Sequence, residues 1–122
     1  MLKQIILVGA GGFIGTVARY GVGRMISAAV TSGIPWGTLA VNAAGCLVMG
    51  MVWQGSARDG DWRLFLATGI CGGFTTFSAF AAENLGMIQS GQAYGSVAYS
   101  LISVMLGIGC MWLGTLLFRQ LF

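Results

Sequence analysis

Four long apolar stretches run through this chain of 122 residues and constrain its fold more than any other feature. A helix of about 20 apolar residues is long enough to cross the hydrocarbon core of a bilayer. The stretches cover approximately residues 5–25, 37–53, 64–88 and 94–118. We therefore predict an all-α membrane protein. It should form a single four-helix transmembrane domain over residues 1–122, as a multi-pass protein of the inner or plasma membrane.

Composition agrees with a membrane protein and argues against several other classes. Charged residues make up 7% of the chain, whereas soluble domains carry about 25%. Three acidic residues and no histidine leave little material for a two-carboxylate hydrolase or a histidine metal site, so we do not expect an enzyme. The net charge of +3 comes from few residues and indicates membrane-flanking cations rather than nucleic-acid binding.

The three cysteines, Cys46, Cys71 and Cys110, lie far apart in apolar sequence. Their number is odd, and no C-x-x-C pair is present. This pattern favours small buried apolar residues over disulfides or metal ligands.

The third apolar stretch contains a segment that makes a poor membrane helix. The sequence Gly-Ile-Cys-Gly-Gly-Phe-Thr-Thr-Phe-Ser occupies positions 69–78. Glycines lower helix propensity, and the hydroxyl groups compete for backbone hydrogen bonds. We predict an interruption at Gly72-Gly73, so that the third helix is broken near Gly72–Thr75. Because a bilayer tolerates such a break only where protein or a polar cavity satisfies the backbone, the break indicates an ion or substrate site.

Two polar residues inside the apolar stretches are further candidates. Arg19 lies more than a dozen residues within the first stretch, where it either extends toward the interface or faces water, an acid or an anion pathway. Asn42 shares a helical face with Thr38, one turn earlier. Its carboxamide either links two helices or offers its donors to a permeating solute.

Regular patterns occur in two places: along the fourth stretch, and in the third stretch just after the predicted break. Small residues at spacings of three and four share one face of the fourth helix: Ser96, Ser100, Ser103, Gly107, Cys110 and Gly114. Helix packing is the favoured explanation, and the serine half is alternatively the lining of a polar path. Phe77 and Phe80 project to one side, and their electropositive ring edges suit a neutral anion path next to Ser78 and Asn42.

Three motifs resemble the Fluc family of small bacterial fluoride channels, also called CrcB. They are Gly-Gly-x-x-Gly-x-x-x-Arg-Tyr at 11–20, Gly-Thr-Leu-x-Val-Asn-x-x-Gly at 37–45, and Gly-x-x-Gly-Gly-x-Thr-Thr-Phe-Ser-x-Phe at 69–80. They occur in the family's order, on successive apolar stretches, so the resemblance covers essentially the whole chain.

The resemblance implies a fluoride channel made of two antiparallel copies inserted in both orientations, with two pores at the interface. It assigns the fluoride pathway to Arg19, Asn42, Phe77, Ser78, Phe80 and Ser103. It also implies a structural Na⁺ on the dimer axis, held by the backbone carbonyls of Gly72 and Thr75. Glu83 matches the family's acid in the second half of the third helix.

The chain departs from the family pattern at two places. Ala79 stands where the family often has threonine, and Gly107 and Met111 stand where hydroxyl side chains are common. The departures at Gly107 and Met111 leave a thinner polar track in the fourth helix. They keep open a heterodimer with a related chain as the alternative to a homodimer.

Two other functions compete with a channel. A small multidrug-type proton-coupled exporter needs a carboxylate deep in its first helix, and the first stretch here has none. A structural subunit of a membrane complex would explain the small-residue stripes but not the interruption in the third stretch.

The basic residues give a weak orientation signal. With four spans, one side of the membrane carries the termini with Lys3, Arg58, Arg63 and Arg119. The other side carries Arg24, joined by Arg19 if that side chain extends to the interface, so the count of four against one or two favours cytoplasmic termini. Cytoplasmic loops are normally enriched in lysine and arginine. A margin this small is also expected of a protein that inserts in both orientations.

Overall fold

The computed structural model describes residues 1–55 and 60–122, and within these ranges it contains helices and no strand. The helices, in chain order, are α1 (Leu2–Ala29), α2 (Trp36–Gly55), α3 (Gly60–Arg63), a π-helical segment (Leu64–Cys71), α4 (Gly72–Phe74), α5 (Phe77–Gln89) and α6 (Ala93–Leu121). Arg58, which enters the count of flanking charges, lies outside the described residues.

Four segments of the described chain are long and apolar enough to span a membrane: Leu2–Ala29, Trp36–Gly55, Gly60–Gln89 and Ala93–Leu121. The prediction of an all-α protein with four spans is confirmed. All four segments are longer than predicted, and the first, third and fourth have 28, 30 and 29 residues. A span longer than the hydrocarbon thickness tilts or extends beyond the core at its ends.

Glycines allow the spans to pack with their backbones in close contact. Gly15 of α1 is buried, and a Cβ atom there would collide with the carbonyl oxygen of Ile70. A Cβ atom on Gly114 of α6 would likewise collide with the carbonyl oxygen of Leu47 in α2. Close packing matters here because the hydrophobic effect does not drive helices together inside a bilayer, where lipid is as apolar as the side chains. The packing explanation is therefore confirmed for Gly15 and Gly114.

Within the predicted range Gly72–Thr75, the third span leaves the helical conformation at Thr75 and not at the two glycines. Gly72 and Gly73 are helical, and the extended residues are Thr75 (φ −79°, ψ 154°) and Thr76 (φ −146°, ψ 115°). A Cβ atom on Gly73 would lie 2.6 Å from the carbonyl oxygen of Gly12, so this glycine provides close packing against α1. The sequence prediction was wrong about these two glycines because propensity alone does not register that packing.

The interior of the subunit is small. Val41 and Cys71 are its most completely buried side chains, with 1% and 2% of their surface exposed. Cys71 is therefore the small buried residue that its apolar context predicts, while Cys46 and Cys110 are half-buried, and all three are free thiols. Large apolar side chains such as Phe13 and Ile108 are mostly exposed, which suits contact with lipid or with another protein surface.

Candidate ion-conduction site

Asn42 holds the extended segment of the third span through two hydrogen bonds. Its Nδ2 donates to the carbonyl oxygen of Thr76 at 3.1 Å, and its Oδ1 accepts from the backbone N–H of Thr76 at 2.7 Å. The bond from the Thr76 N–H replaces the helical partner that this group lacks, while the Thr76 carbonyl also accepts the first bond of α5. A carboxamide carries two N–H donors, so one N–H remains beyond these bonds. Asn42 therefore links α2 to the third span, and a donor to a permeating solute stays a prediction for its remaining N–H.

The threonines stabilise the two ends of the extended segment. Thr75 Oγ1 donates to the carbonyl oxygen of Cys71 at 2.9 Å, at the end of the preceding helix. Thr76 Oγ1 accepts from the N–H of Ala79 at 3.2 Å and forms the N-cap of α5. A helix N-terminus carries a partial positive charge from its unpaired N–H groups. The first turn of α5, which contains Ser78, therefore offers an electropositive backbone to an anion.

The two phenylalanines lie together, as their spacing predicts. The ring centroids of Phe77 and Phe80 are 5.5 Å apart, and Phe80 also packs against Tyr99 at 5.3 Å. Phe77 is 78% exposed, and Ser78 beside it is exposed as well. The predicted pathway residues of α5 thus begin on the outer surface of the subunit and continue inward at Phe80.

Arg19 reaches into the protein. Its Nε donates to the carbonyl oxygen of Gly73 at 3.1 Å, and Thr16 Oγ1 lies 3.4 Å from the same oxygen. The guanidinium therefore caps the C-terminal end of α4, where a cation is favourable. A cavity of about 250 Å³ lies beside it, and Arg19, Arg24 and Thr76 are among its lining residues.

Gly72 and Thr75, the predicted sodium ligands, lie on either side of the change in backbone direction. In a continuous helix the N–H of Thr76 would bond to the carbonyl of Gly72, but here it donates to Asn42. Gly72 is exposed on the subunit surface. Backbone carbonyl oxygens are suitable ligands for a hard monovalent cation, so these residues fit the ion that the resemblance implies. The described residues contain no cluster of three or more His, Cys, Asp or Glu side chains that could hold a metal.

Ser103 of α6 lies one turn after Tyr99, whose ring packs against Phe80. Its Oγ is buried and is the only such side-chain atom without a hydrogen-bond partner among the residues that the structure describes. The hydroxyl of Tyr99, one turn earlier, is close enough to interact with it, so Ser103 adjoins the aromatic cluster of Phe80 and Tyr99.

Glu83 and Asn84 connect three helices around Phe80, and sequence reasoning missed these connections. Glu83 Oε1 accepts from Thr38 Oγ1 at 2.5 Å, and its Oε2 accepts from the hydroxyl of Tyr99 at 2.8 Å. Asn84 bonds to two serines of α6. The placement of Thr38 on the same face as Asn42 was the available signal, but it did not identify the partner.

These features define a class: a small helical membrane protein of four spans, in which two extended threonines interrupt the third span, an asparagine binds them, and an arginine binds the helix end just before them. Within that class, residues 6–115 match the family model described as CrcB-like protein, Camphor Resistance (CrcB). The chain belongs to this family, as the three motifs predict, and it is a multi-pass protein of the cell membrane.

Curated relatives match nearly the full length of the chain. A protein of Chlorobium phaeobacteroides (strain BS1) is 43% identical over 114 residues, which are 90% of this chain and 88% of that protein. One from Hyphomonas neptunium is 43% identical over 99% of both chains, and one from Thermus thermophilus (strain ATCC 27634) is 39% identical over 93% of both. All three are named fluoride-specific ion channel FluC.

Proposed function

We propose that this protein is a fluoride-selective channel that exports cytoplasmic fluoride passively through pores at the interface of an antiparallel dimer. The observation that carries the proposal is the exposed pair Phe77 and Ser78, which adjoins the segment bonded to Asn42. The names of the relatives support fluoride as the ion.

The donors at this site suit a small, strongly hydrated anion. A pathway for fluoride must replace lost water with hydrogen-bond donors, yet full positive charges would hold the ion too tightly for it to leave. The spare N–H of Asn42, the hydroxyl of Ser78 and the ring edges of Phe77 and Phe80 are donors without full charge. Arg19 lies at the neighbouring cavity, where its charge attracts anions without lying in the narrow path.

A second copy of the chain would complete the pathway. Phe77, Ser78 and Gly72 are exposed in a single subunit, so a path along them has protein on one side only. Ser103, which lies beside the Tyr99 hydroxyl, would add a hydroxyl from the fourth span to this set of donors. The small bias of flanking charges agrees with insertion in both orientations. We favour a homodimer, and a heterodimer with a related chain remains the alternative.

The change of direction in the third span also supports a bound Na⁺ with a structural role. Because the N–H of Thr76 donates to Asn42, the carbonyl of Gly72 loses the donor that a helix would supply. Two antiparallel copies would bring the Gly72 and Thr75 carbonyls together from both chains. We propose that these oxygens would hold one sodium ion at the dimer centre.

The exporter alternative has less support. Its first span would need an acid, and the segment Leu2–Ala29 contains none. Glu83 accepts hydrogen bonds from Thr38 and Tyr99, as expected of a residue that joins helices.

Fluoride efflux from liposomes that contain only the purified protein tests the function. The expected result is rapid fluoride release without a proton gradient and without matching chloride release. Protein-free liposomes and a chloride-loaded set are the controls. Release that requires a proton gradient would favour the exporter, and no release from liposomes with correctly assembled protein would overturn the proposal.

A further inference from the structure

A buried asparagine outside the three motifs joins the last two helices. Asn84 lies on α5 with 9% of its surface exposed, and it is the only buried residue of that helix, all of which the structure describes. Its Oδ1 accepts from Ser96 Oγ at 2.7 Å and from Ser100 Oγ at 2.9 Å. Its Nδ2 donates to the carbonyl oxygen of Phe80 at 2.9 Å.

These hydrogen bonds determine whether the hydroxyls of the two serines can contact an ion. A carboxamide oxygen has two acceptor positions, and the hydroxyls of Ser96 and Ser100 occupy both. Ser96 is itself buried, with 5% of its surface exposed. The hydroxyl protons of both serines are therefore committed to Asn84 and are not offered to a permeating ion. Ser103, the next serine of the stripe, makes no bond to Asn84 and lies instead beside the hydroxyl of Tyr99.

The same asparagine contacts the backbone of a proposed pathway residue. Phe80 lies one turn before Asn84, and its ring packs between Phe77 and Tyr99. Tyr99 is held by Glu83, the neighbour of Asn84. The position of the Phe80 ring thus depends on how α5 lies against α6, and the hydrogen bonds of Asn84 connect these two helices directly.

The local structure explains why α5 needs such a connection. The helix has 13 residues and follows two extended residues, so the preceding part of the third span does not fix its position through a continuous hydrogen-bond ladder. Apolar side chains alone allow a helix to shift along its neighbour inside a membrane, because lipid and protein contacts are equally apolar. Two directional bonds from one carboxamide select a single register.

We propose that Asn84 is a positioning residue of the pore, which fixes the α5–α6 register through Ser96 and Ser100 and thereby sets the position of the Phe80 ring. The inference rests on the fluoride-channel function proposed above. It assigns to Ser96 and Ser100 a role in alignment and not in ion contact.

The test compares Asn84→Leu with a matched control, Gln89→Leu, which removes an exposed carboxamide from the same helix. Liposomes are prepared at low protein density, so that most contain one channel or none. The fraction of liposomes that release fluoride then counts assembled channels, and the release rate of those liposomes reports transport by each channel. We expect Asn84→Leu to lower the rate per channel by about tenfold with little change in the active fraction. The control should match the parent protein in both.

If Asn84 contributes only to stability, a different set of release rates is expected. A triple variant distinguishes this role from the positioning role. Replacing Asn84 with leucine and both serines with alanine removes every buried polar group of the cluster, which restores stability when polar groups are lost together. If the cluster only stabilises the fold, this triple variant should recover the parent rate. If Asn84 sets the register, its rate per channel stays low.

The half-buried Ser100 provides a milder pair if Asn84→Leu fails to assemble. Ser100→Thr keeps the hydroxyl group and should conduct at the parent rate, whereas Ser100→Ala should lower the rate per channel by a few fold. Equal rates in this pair would overturn the inference, as would a parent rate in assembled Asn84→Leu. An inactive parent protein would overturn the channel function and the inference together, whereas an active parent with an unaffected Asn84→Leu variant would overturn the inference alone.

Discussion

The two halves of the third span are held in place by different interactions. The π-helical segment buries Ala67, Gly69 and Cys71, and glycines bring its backbone into contact with α1. In α5, by contrast, the only buried residue of the described helix is polar, and side-chain hydrogen bonds reach the helix from α2 and α6. The close backbone contacts between α1 and the described first half offer no hydrogen-bond donor to an ion. The second half, in contrast, has uncharged donors such as the hydroxyl of Ser78 near its polar contacts. The first half therefore serves as the scaffold and the second half as the proposed conducting element.

Gly15→Val should have the largest effect on folding, because it disrupts the packing of α1 against the first half of the third span. The added Cβ collides with the carbonyl oxygen of Ile70, which is a backbone atom and cannot move aside as a flexible side chain could. Overpacking of this kind costs about 3 kcal/mol or more. We expect loss of folded protein, measured as the fraction that elutes as a single species after detergent extraction.

The matched control for this change is Gly9→Val in the same helix, where an added Cβ meets nothing within 4 Å. Both changes carry the same cost in helix propensity, so only the packing differs. Equal yields of the two variants would contradict the scaffold role of Gly15.

Gly72→Val tests the assembly of the proposed dimer separately from the folding of the single subunit. An added Cβ at Gly72 lies 3.7 Å from the carbonyl oxygen of Ala67, which is an ordinary contact, so the single subunit should still fold. At the centre of the proposed dimer the same side chain would fill the space next to the sodium ion. We expect fluoride efflux to be abolished, with the helical content unchanged in circular dichroism.

Sodium replacement checks the same site without a mutation. Exchange of sodium for a large organic cation should lower the thermal stability or the efflux of the parent protein, because a bound ion stabilises the state that holds it. Indifference of both properties to sodium would argue against the ion.

Asn42→Asp acts on the polar bonds at the start of the conducting half. The carboxylate keeps the bond from the Thr76 N–H but loses the donor to the Thr76 carbonyl, and it places a negative charge where the anion should pass. Repulsion of a few kcal/mol would lower the efflux rate by about a hundredfold. Asn42→Gln, which keeps the carboxamide, is the control and should retain more of the rate.

The comparison also shows which parts of this structure its sequence can predict. The spacing of Gly12 and Gly15 predicts close packing against another helix, because small residues on one face have few other uses in a membrane. The bonds between Asn42 and Thr76, and between Thr38 and Glu83, join residues 34 and 45 positions apart. Local periodicity indicates that such polar residues need partners but does not identify them. The same limit explains why Gly72 and Gly73 were predicted to interrupt the helix, although Thr75 and Thr76 do so.

The two phenylalanines give the smallest effects and the sharpest comparison within the conducting half. Phe77 is 78% exposed in the subunit, so Phe77→Ile removes little internal packing. Phe80 contacts Tyr99, so Phe80→Ile also removes a ring contact worth about 1 kcal/mol. Both variants lose an electropositive ring edge, and each should lower fluoride efflux per channel by about tenfold, near the effect of losing one donor to the ion. Phe80→Ile should lower the melting temperature of the protein more than Phe77→Ile, because it removes ring contacts with both Phe77 and Tyr99, whereas Phe77→Ile removes only the contact with Phe80. If Phe77→Ile conducts normally while remaining assembled, the exposed ring is not on the path, and the conducting surface must begin deeper, at Phe80 and the segment bonded to Asn42.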